Sequence, residues 1–415
     1  MHSAISYSEQ FNTRRGISKV FLFGAIYFII MGLELAEKKR PEEAVDDFLQ
    51  RPRQAVFTPD YKFRRFFFIV PFPVDSSHMH TKRIFSEQLS VAGEILRAAP
   101  DTKIDIFVKS ADDVSKAMQA LGKLKRYADS GRIRVKVGKF TEELWARDIG
   151  MPAKVRSFGS VRDEFVMGLN LEKQRKSGKR DVRVRWEAHD EKETGIRVTR
   201  IPIVVQGGNV TKTEIGKKKV LIVGQNDVEM TQEIYRHRGL EVSWEQIEKV
   251  YKKTFGVDEV IILGPDVKQT KPVFHIDQAV FFPKKGVAII LKPTDPENAS
   301  KRGKEILGML RKYKKQLQEL GFSVIEIPTS MRHIERYESY ANAVSIAGKG
   351  KTTVILPSFG DEKTEEEISR KLKENNMNVI FVPNTTGKHE GNIHCFTGAL
   401  ALRRINPIRT EHAYA

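Results

Sequence analysis

The sequence contains a single cysteine among its 415 residues. One thiol cannot form an intramolecular disulfide or a thiolate metal cluster, so a disulfide framework and a cysteine-rich metal site are both excluded. The sequence also lacks the metal-binding spacing HExxH and the glycine loops GxxxxGK and GxGxxG. The lone thiol is therefore either a structural side chain or a reactive one.

Long hydrophobic runs are scarce as well. The uncharged run 20–33 (VFLFGAIYFIIMGL) is too short for a confident membrane span. Arg14, Arg15 and Lys19 precede it, as in a signal peptide, but the charged residues 34–40 that follow it lack a clean cleavage site. Export, an uncleaved membrane anchor, a buried helix and a cytoplasmic location all stay open, and membrane contact is expected only through this run.

Negative charge is in the minority, since 71 Lys and Arg stand against 53 Asp and Glu and give a formal net charge of +18. Such a charge favours anionic partners in general. The basic residues are spread over the whole chain, however, and no arginine-rich segment with interleaved aromatics marks a nucleic-acid surface. We therefore expect no nucleic-acid partner. A basic surface would weakly repel a cationic substrate, so local carboxylates would have to attract one.

Short apolar runs alternate with helical patterns along most of the chain, which predicts an α/β fold. The predicted strands are 66–70, 104–108, 133–137, 165–169, 201–205, 220–223, 260–263, 287–291, 324–327, 353–356 and 379–382. The predicted helices are 86–98, 114–127, 243–255, 301–320 and 363–375.

No long linker interrupts this alternation. We expect residues 1–60 to form an N-terminal segment with the apolar run and a charged linker, and residues 61–415 to form a single catalytic domain. The charged run 173–193 is interpreted as a surface loop or a hairpin within that domain. No repeat of fixed period is visible, so any internal symmetry would be structural only.

The lone cysteine lies in the motif GNIHC, which ends at Cys395 and follows the last predicted strand. Its glycines permit a tight backbone and close approach of a ligand. An ordinary buried cysteine is nevertheless the commoner fate of a single thiol. The motif by itself therefore leaves both interpretations open.

Two further motifs contain titratable side chains. In the segment His275-Ile276-Asp277, an extended backbone would place His275 and Asp277 on one face, where they could act as an acid/base and an anion. In the segment Trp145-Ala146-Arg147-Asp148, Asp148 could accept two hydrogen bonds from a guanidinium. A satisfied core histidine and an internal Arg147–Asp148 ion pair are the structural alternatives.

A fourth motif, Gln206-Gly207-Gly208-Asn209, ends a predicted strand. Its double glycine is typical of a tight turn, and a plain strand-ending turn is the simplest interpretation.

Taken together, the motifs WARD, QGGN, HID and GNIHC, in this order, resemble the agmatine deiminases and bacterial (Porphyromonas-type) peptidylarginine deiminases of the guanidino-group modifying superfamily. The resemblance continues through Glu338-Ser339-Tyr340-Ala341-Asn342 and the segment 356–361 (LPSFGD), so it spans roughly residues 66–397. The resemblance rests on the order and spacing of these motifs together with the position of the cysteine.

The resemblance implies the pentein fold, a five-bladed α/β propeller of ββαβ units around a central polar pocket. It implies that Cys395 is the nucleophile, that His275 is the general acid and base, and that Asp148 and Asp277 clamp the guanidinium. The implied reaction converts a guanidino group to a ureido group and ammonia through a thiouronium intermediate, without metal or organic cofactor. The residues predicted to bind substrate are Trp145, Arg147, Gln206, Gly208, Asn209 and Asn392.

Gln206 departs from the pattern of the resembling family, which generally has an acidic residue before Gly-Gly-Asn. The first predicted strand also lacks the tryptophan-rich start that is typical of agmatine deiminases. The expected substrate is agmatine, with arginine or an arginine peptide as alternatives and amidino transfer to an amine as a further enzymatic option. A catalytically silent pentein that acts as a basic binding module is the alternative from another class. The sequence does not decide whether the protein forms a homo-oligomer.

Overall fold

The structure, a computed structural model, describes residues 41–70, 73–74, 79–138, 146, 150–157, 160–169, 197–237, 239–264, 275–348, 350–384 and 392–400. The predictions made for residues 20–33, for Trp145, Arg147 and Asp148, and for the charged run 173–193 lie outside these ranges.

The described residues alternate between helices and strands. The helices are α1 (Pro41–Gln50), α2 (Met79–Ala98), α3 (Ala111–Ala120), α4 (Lys125–Asp129), α5 (Gln225–Arg236), α6 (Trp244–Phe255), α7 (Lys301–Glu319), α8 (Met331–Glu335), α9 (Glu362–Glu374) and α10 (Ile393–Phe396). The strands are β1 (Gln54–Ala55), β2 (Arg65–Ile69), β3 (Lys103–Val108), β4 (Ile133–Val137), β5 (Met151–Ser157), β6 (Ser160–Leu169), β7 (Arg197–Val204), β8 (Val210–Ile215), β9 (Lys218–Gly224), β10 (Glu259–Leu263), β11 (Val280–Lys284), β12 (Val287–Pro293), β13 (Ser323–Thr329), β14 (Val344–Ala347), β15 (Thr352–Ser358), β16 (Met377–Pro383) and β17 (Gly398–Leu400). The predicted α/β class is confirmed.

In the described part of the chain, the strands form five separate sheets that share one pattern. Each sheet contains a first strand that pairs antiparallel with a middle strand, which in turn pairs parallel with a third strand. The sets, in the order first, middle and third, are β5-β6-β7, β8-β9-β10, β11-β12-β13, β14-β15-β16 and β17-β2-β3. In four of the five sets a described helix lies between the middle and the third strand, so the described chain repeats one strand pattern without any repeat in its sequence.

One of the five sheets joins distant parts of the chain. Strand β17 pairs with β2 in the register Gly398↔Phe67, so the last described strand closes onto the first long one. β1 and β4 extend two of the sheets as edge strands, on β5 and β3 respectively.

Hydrophobic clusters lie between the sheets and the helices that cover them. One cluster joins α7 and α9 to the sheets of β11–β13 and β14–β16. A second packs α2 on the sheet of β2–β4, and a third joins α1, α5 and α6 to the sheets of β5–β7 and β8–β10. Val45 and Phe48 of α1 are buried in that third cluster, although they belong to the segment predicted as a charged linker.

Local sequence explains where two helices begin and end. α6 starts with a capping box, in which Ser243 and Gln246 each bond the other's backbone N–H, and it ends at Gly256 with a positive φ of 65°. The prediction of one helix over 114–127 is wrong, because Gly122, with a φ of 51°, separates α3 from α4 by a short 3₁₀ turn.

Candidate active site

Each motif singled out in the sequence lies directly before the first strand of a different sheet. Gly150 precedes β5, the segment 206–209 precedes β8, the segment 275–277 precedes β11, Asn342 precedes β14 and the segment 392–396 precedes β17. The five motifs therefore occupy equivalent positions in five equivalent units. Hydrogen bonds connect the segments before β8, β11, β14 and β17 to one another.

Cys395 lies in the helical turn α10, and only 5% of its surface is exposed. Its Sγ accepts hydrogen bonds from Asn342 Nδ2 at 3.1 Å and from Gln278 Nε2 at 3.5 Å. The thiol itself donates to Asp277 Oδ2 at 3.6 Å. The two amide donors would stabilise a thiolate, whereas the nearby carboxylate would oppose one unless a cation lies between them.

Asn342 fixes the segment that holds the thiol. Its Oδ1 accepts the backbone N–H groups of His394 at 3.0 Å and Cys395 at 3.3 Å, while its Nδ2 donates to the sulfur. Because the backbone donors determine which end of the amide faces them, the orientation of Asn342 is set from both sides. Asn342 therefore aims an N–H group at Sγ.

Asp277 is buried and has two carboxylate oxygens in different situations. Oδ2 lies 2.9 Å from His394 Nδ1 and also accepts the thiol proton of Cys395. Oδ1 is fully buried and accepts no hydrogen bond from any residue that the structure describes. A buried carboxylate oxygen without a donor is costly, which makes Oδ1 suited to accept an N–H group from a ligand.

His275 is also buried, and its Nε2 lies 2.9 Å from Gln206 Oε1. The amide nitrogen of Gln206 donates in turn to Asp227 Oδ1 at 3.1 Å, and the backbone N–H of Gln206 donates to Asp227 Oδ2 at 2.9 Å. Burial raises the pKa of Asp227 to about 6, although hydrogen bonds from Gln206 and Asn209 and the nearby His275 act to lower it. Gln206 thus connects a histidine to a buried carboxyl group.

Asn209 holds the turn that carries these residues. Its Nδ2 donates to Asp227 Oδ1 at 3.0 Å, and its Oδ1 accepts the backbone N–H of Ile276 at 3.0 Å. The backbone N–H of Asp277 donates to Gly208 O at 3.1 Å. The segments 206–209 and 275–277 are therefore tied to each other by side-chain and backbone hydrogen bonds.

Gly208 lies against the two titratable groups of the HID motif. A Cβ at this position would come within 2.6 Å of His275 Nδ1 and within 3.0 Å of Asp277 Oδ2. Only glycine fits here without moving one of the two side chains.

A cavity adjoins the site on the side of His394 and Asp277. First strands of several sheets line it, together with β2 and the 3₁₀ turn at Asp60; the lining includes Phe66, Thr211, Phe281, Ser345 and Ala399. Four of the five sheets thus contribute to one polar and apolar space next to the thiol.

The structure brings together most of the predicted site residues that it describes. Cys395 and Asp277 are in contact, and His275, Gln206 and Gly208 lie beside them. Asn209 and Asn392 are fully buried in supporting positions, and Asn392 Nδ2 donates to Tyr337 O at 2.7 Å. Trp145, Arg147 and Asp148 are outside the described residues.

Four site residues were not assigned a role from the sequence: Gln278, Asn342, His394 and Asp227. His394 is adjacent to the cysteine and Gln278 directly follows the HID motif, so proximity in sequence was the available signal for both. Asn342 stood in a motif that carried the family resemblance. Asp227 had no such signal, because an aspartate in the first turn of a helix is ordinarily interpreted as a favourable charge at the helix N-terminus.

Two kinds of feature are absent from the residues that the structure describes. Within those ranges, no group of three or more His, Cys, Asp or Glu side chains could hold a metal ion. Across the same residues, no helix combines the length and apolar character that crossing a bilayer requires.

The sequence model of the Porphyromonas-type peptidyl-arginine deiminase family matches residues 65–400. The chain belongs to this family. The match includes every described strand from β2 to β17 and all the site residues named above.

Solved structures show the same fold. An agmatine deiminase from C. jejuni has a TM-score of 0.59 and 16% identity, over 85% of this chain and 98% of the other. An agmatine deiminase from Enterococcus faecalis has a TM-score of 0.60 and 17% identity, over 85% of this chain and 96% of the other. A search of curated proteins found no match. The predicted pentein class is confirmed, and the family and its structural neighbours are deiminases that act on guanidino groups.

Proposed function

We propose that the protein is a hydrolytic deiminase that converts a guanidino group to a ureido group and ammonia, with agmatine as the preferred substrate. The observation that carries this proposal is the contact between Cys395 and Asp277, in which Sγ lies 3.6 Å from one carboxylate oxygen. The other oxygen, Oδ1, is buried and has no donor among the described residues. A nucleophile beside an acceptor that lacks a donor suits a planar cation rich in N–H groups.

The proposed reaction begins with attack of the Cys395 thiolate on the guanidinium carbon. The C–S bond forms, one C–N bond breaks, and the leaving nitrogen takes a proton and departs as ammonia. Water then adds to the same carbon, the C–S bond breaks, and the thiolate returns. The sum is one guanidinium plus one water giving one ureido group plus one ammonium ion, so no oxidant or reductant is needed.

The guanidinium would also help to form its own nucleophile. Asp277 opposes a thiolate in the empty site because two negative charges would lie close together. A cation held between Sγ and Asp277 would favour the charged form of both groups. We therefore expect the thiol to be more reactive when a cation occupies the site than when it is empty.

In this proposal, His275 acts as the general acid for the departing ammonia and as the general base for the attacking water. Its position beside Gly208 and Asp277 supports that role. Asp148 would supply the second carboxylate of the guanidinium clamp, with Trp145 and Arg147 next to it contacting the remainder of the substrate. Gln206 would lie against the histidine without providing a charge of its own.

Arginine or a peptidyl-arginine is the alternative substrate class. The reacting group is the same in all three compounds, and only the groups beyond it differ: an amine in agmatine, an amino acid head group in arginine and a peptide backbone in the third. Asp277 and Cys395 would contact the shared guanidinium, so they cannot select among these substrates.

Turnover of three substrates by purified protein tests the proposal. Agmatine, arginine and a blocked arginine peptide are incubated in parallel, and ammonia and the ureido product are both quantified. Cys395→Ser and Asp277→Asn serve as variants, with Val161→Ala, at an exposed position of β6, as the matched control. We expect ammonia and ureido product in equal amounts from at least one substrate, and loss of both in the two site variants only.

Mass spectrometry provides a second readout that the single thiol makes simple. Because Cys395 is the only cysteine of the chain, any thiol adduct that accumulates on acid quenching is located on it. Absence of turnover of all three substrates, or equal turnover by Cys395→Ser, would contradict the proposal. Salt-sensitive binding of nucleic acid without any turnover would favour the basic binding module instead.

A further inference from the structure

Asp227 lies behind His275 and is separated from it by one side chain. It belongs to the first turn of α5, is fully buried, and faces two amide side chains, those of Gln206 and Asn209. The titratable groups whose charges interact with it are His275 and Tyr251. The family resemblance assigns no role to this position.

An ionised carboxylate can only accept hydrogen bonds, so it decides how a neighbouring amide is oriented. Asp227 Oδ1 accepts Gln206 Nε2 at 3.1 Å, which leaves Gln206 Oε1 pointing away from Asp227 and toward His275. The opposite orientation would place the carbonyl oxygen of Gln206 against the carboxylate, with two acceptors and no proton between them.

Asn209 reinforces this arrangement. Its Nδ2 donates to the same oxygen, Asp227 Oδ1, at 3.0 Å, while its Oδ1 accepts from Ile276 N. The backbone donor prevents Asn209 from turning its carbonyl toward Asp227. Every group that faces the carboxylate in this cluster is therefore a donor.

The orientation of Gln206 also determines which ring nitrogen of His275 carries a proton. Since Gln206 Oε1 can only accept, the ring nitrogen that lies 2.9 Å from it must carry a proton. That nitrogen is Nε2. The other nitrogen, Nδ1, lies on the side of Gly208, where a Cβ would come within 2.6 Å of it and within 3.0 Å of Asp277 Oδ2.

We infer that Asp227 is a positioning residue that, through Gln206, holds His275 in the Nε2–H tautomer and thereby leaves Nδ1 as the nitrogen that exchanges protons. The role in proton exchange rests on the proposed function, whereas the tautomer does not. Asp227 then compensates for the charge that Gln206 lacks. Its carboxylate is separated from the histidine by the Gln206 side chain and acts by orienting that amide.

The ionised state of Asp227 is what the arrangement requires. Although burial raises its pKa to about 6, the side chain is mostly ionised at neutral pH. The helix N-terminus and the amide donors support that charge.

Nitrogen NMR of the histidine rings tests the inference without substrate. Two-bond correlations between ring protons and ring nitrogens distinguish the Nε2–H from the Nδ1–H tautomer, and the signals of His275 are assigned by their loss in His275→Gln. We expect the Nε2–H form in the unmodified protein. Finding mainly Nδ1–H there would overturn the inference.

Asp227→Asn is the decisive variant because it preserves shape and adds a donor. The new amide must turn its own N–H group toward one of the three donors on Gln206 and Asn209, so position 227 no longer accepts from all three and no longer fixes the orientation of Gln206, whose N–H group can then turn toward the histidine. We expect the tautomer ratio to move by about tenfold or more toward Nδ1–H, in line with the net worth of one buried hydrogen bond. An unchanged ratio in this folded variant would contradict the inference.

The double variant Gln206→Glu/Asp227→Asn should restore the Nε2–H form. A carboxylate at position 206 accepts from the histidine with one oxygen and from the new amide at 227 with the other. A merely structural role for Asp227 predicts no such recovery. If Asp227→Asn does not fold, Asp227→Ser takes its place with the same expectation, since it is smaller and cannot reach the Gln206 amide.

Asp113→Asn is the matched control. Asp113 is likewise a buried aspartate in the first turn of a helix, α3, but it bonds Val74 N and Ser110 away from the site. Its substitution should leave the tautomer of His275 unchanged, and a shift in this variant as large as in Asp227→Asn would overturn the inference.

Turnover measured on the same proteins separates this inference from the proposed function. With an active substrate, Asp227→Asn should lower kcat by about tenfold or more with little change in KM, because Asp227 contacts the histidine's partner and not the substrate. No turnover by any of these proteins, together with the expected tautomer shifts, would overturn the proposed function alone. Turnover with an unaltered tautomer would overturn the positioning role alone.

Discussion

The first strands of the five sheets differ from the middle strands they pair with. Middle strand β9 contains the run Val220–Val223, whose four side chains are all fully buried. Its partner β8 has the sequence VTKTEI, with Thr211, Lys212 and Thr213 buried although they are polar. The middle strands thus supply apolar burial, whereas the segments leading into the first strands supply the polar and titratable groups of the candidate site.

The buried Lys212 of first strand β8 is paired with distant parts of the chain. Lys212 Nζ donates to Pro152 O at 2.5 Å and lies 3.5 Å from Asp60 Oδ1. It also lies over the ring of Phe63. This buried lysine therefore joins β8 to β5 and to the 3₁₀ turn before β2.

The largest effect is expected from a substitution in the candidate site, which tests whether activity can be lost without loss of stability. Cys395→Ser should lower turnover by about 10,000-fold or more, because a serine hydroxyl stays protonated where a thiol ionises. The melting temperature should change little, since the oxygen can keep the contacts to Asn342 and Gln278. Activity assays and thermal melts of the same preparation check both statements. A variant that loses its fold as well as its activity would break the separation between chemistry and stability.

A substitution in a middle strand should instead lower stability and leave activity unchanged. Ile289→Ala in β12 removes a buried side chain from the largest cluster and should lower the free energy of unfolding by about 2–5 kcal/mol. The folded fraction should retain kcat. Urea unfolding gives the first quantity, and steady-state kinetics below the unfolding transition gives the second.

The control for Ile289→Ala is Val161→Ala, which removes a side chain that is 50% exposed and should cost less than about 0.5 kcal/mol. Equal destabilisation by the two changes would show that burial does not decide the result.

Asp227 should give the site a measurable dependence of stability on pH. Burial raises its pKa from 3.8 to about 6, so the folded protein binds this proton more tightly than the unfolded chain. Its contribution to stability is present below about pH 4 and is lost as the pH rises through about 6, a change of about 3 kcal/mol at most.

Urea unfolding of the parent protein and Asp227→Asn between pH 4 and pH 7 isolates that contribution. The difference between the two free energies of unfolding should move in favour of the variant as the pH rises. A difference that is independent of pH would mean that Asp227 titrates alike in both states.

The smallest effect is expected from Gly208→Ala. The added Cβ would displace His275 or Asp277, so kcat should fall by about 10- to 100-fold, which corresponds to a displacement of roughly 1 Å. Gly216 provides a contrasting glycine, because it has a positive φ and a Cβ added there would meet open space. Gly216→Ala should therefore affect stability and leave kcat unaltered.

Sequence patterns predicted the middle and third strands but none of the first strands. The runs 220–223 and 287–291 are continuous and apolar, and 353–356 is so apart from Thr353; their side chains are buried, as expected of strands enclosed on both faces. β8 is polar between its first and last residues, the apolar part of β11 is cut short by Pro283, and β17 has three residues only, so none presents a long apolar run. The missed strands are those that line the site, where polar side chains are needed.

Candidate site residues could be selected from short motifs, whereas their predicted roles came from the family resemblance that the motifs carry together. Cys395, His275 and Asp277 were identified from short motifs and are close together in the structure. Asp227 was missed because it joins the candidate site through a contact with Gln206, which is 21 residues away in sequence. Gln206 departs from the family pattern because it lacks a negative charge. Such a departure predicts that another group compensates for the charge, but it does not indicate where that group lies.

The pairing of β17 with β2 has a consequence for how the protein matures on the ribosome. Gly398 lies beside Phe67, so one of the five sheets cannot be completed until nearly the whole family-matched region 65–400 has been synthesised. Until then β2 has an unpaired edge, which is prone to association with other chains. The thiol lies in the turn just before β17, so Cys395 and the strand that completes this sheet are both synthesised near the end of the family-matched region.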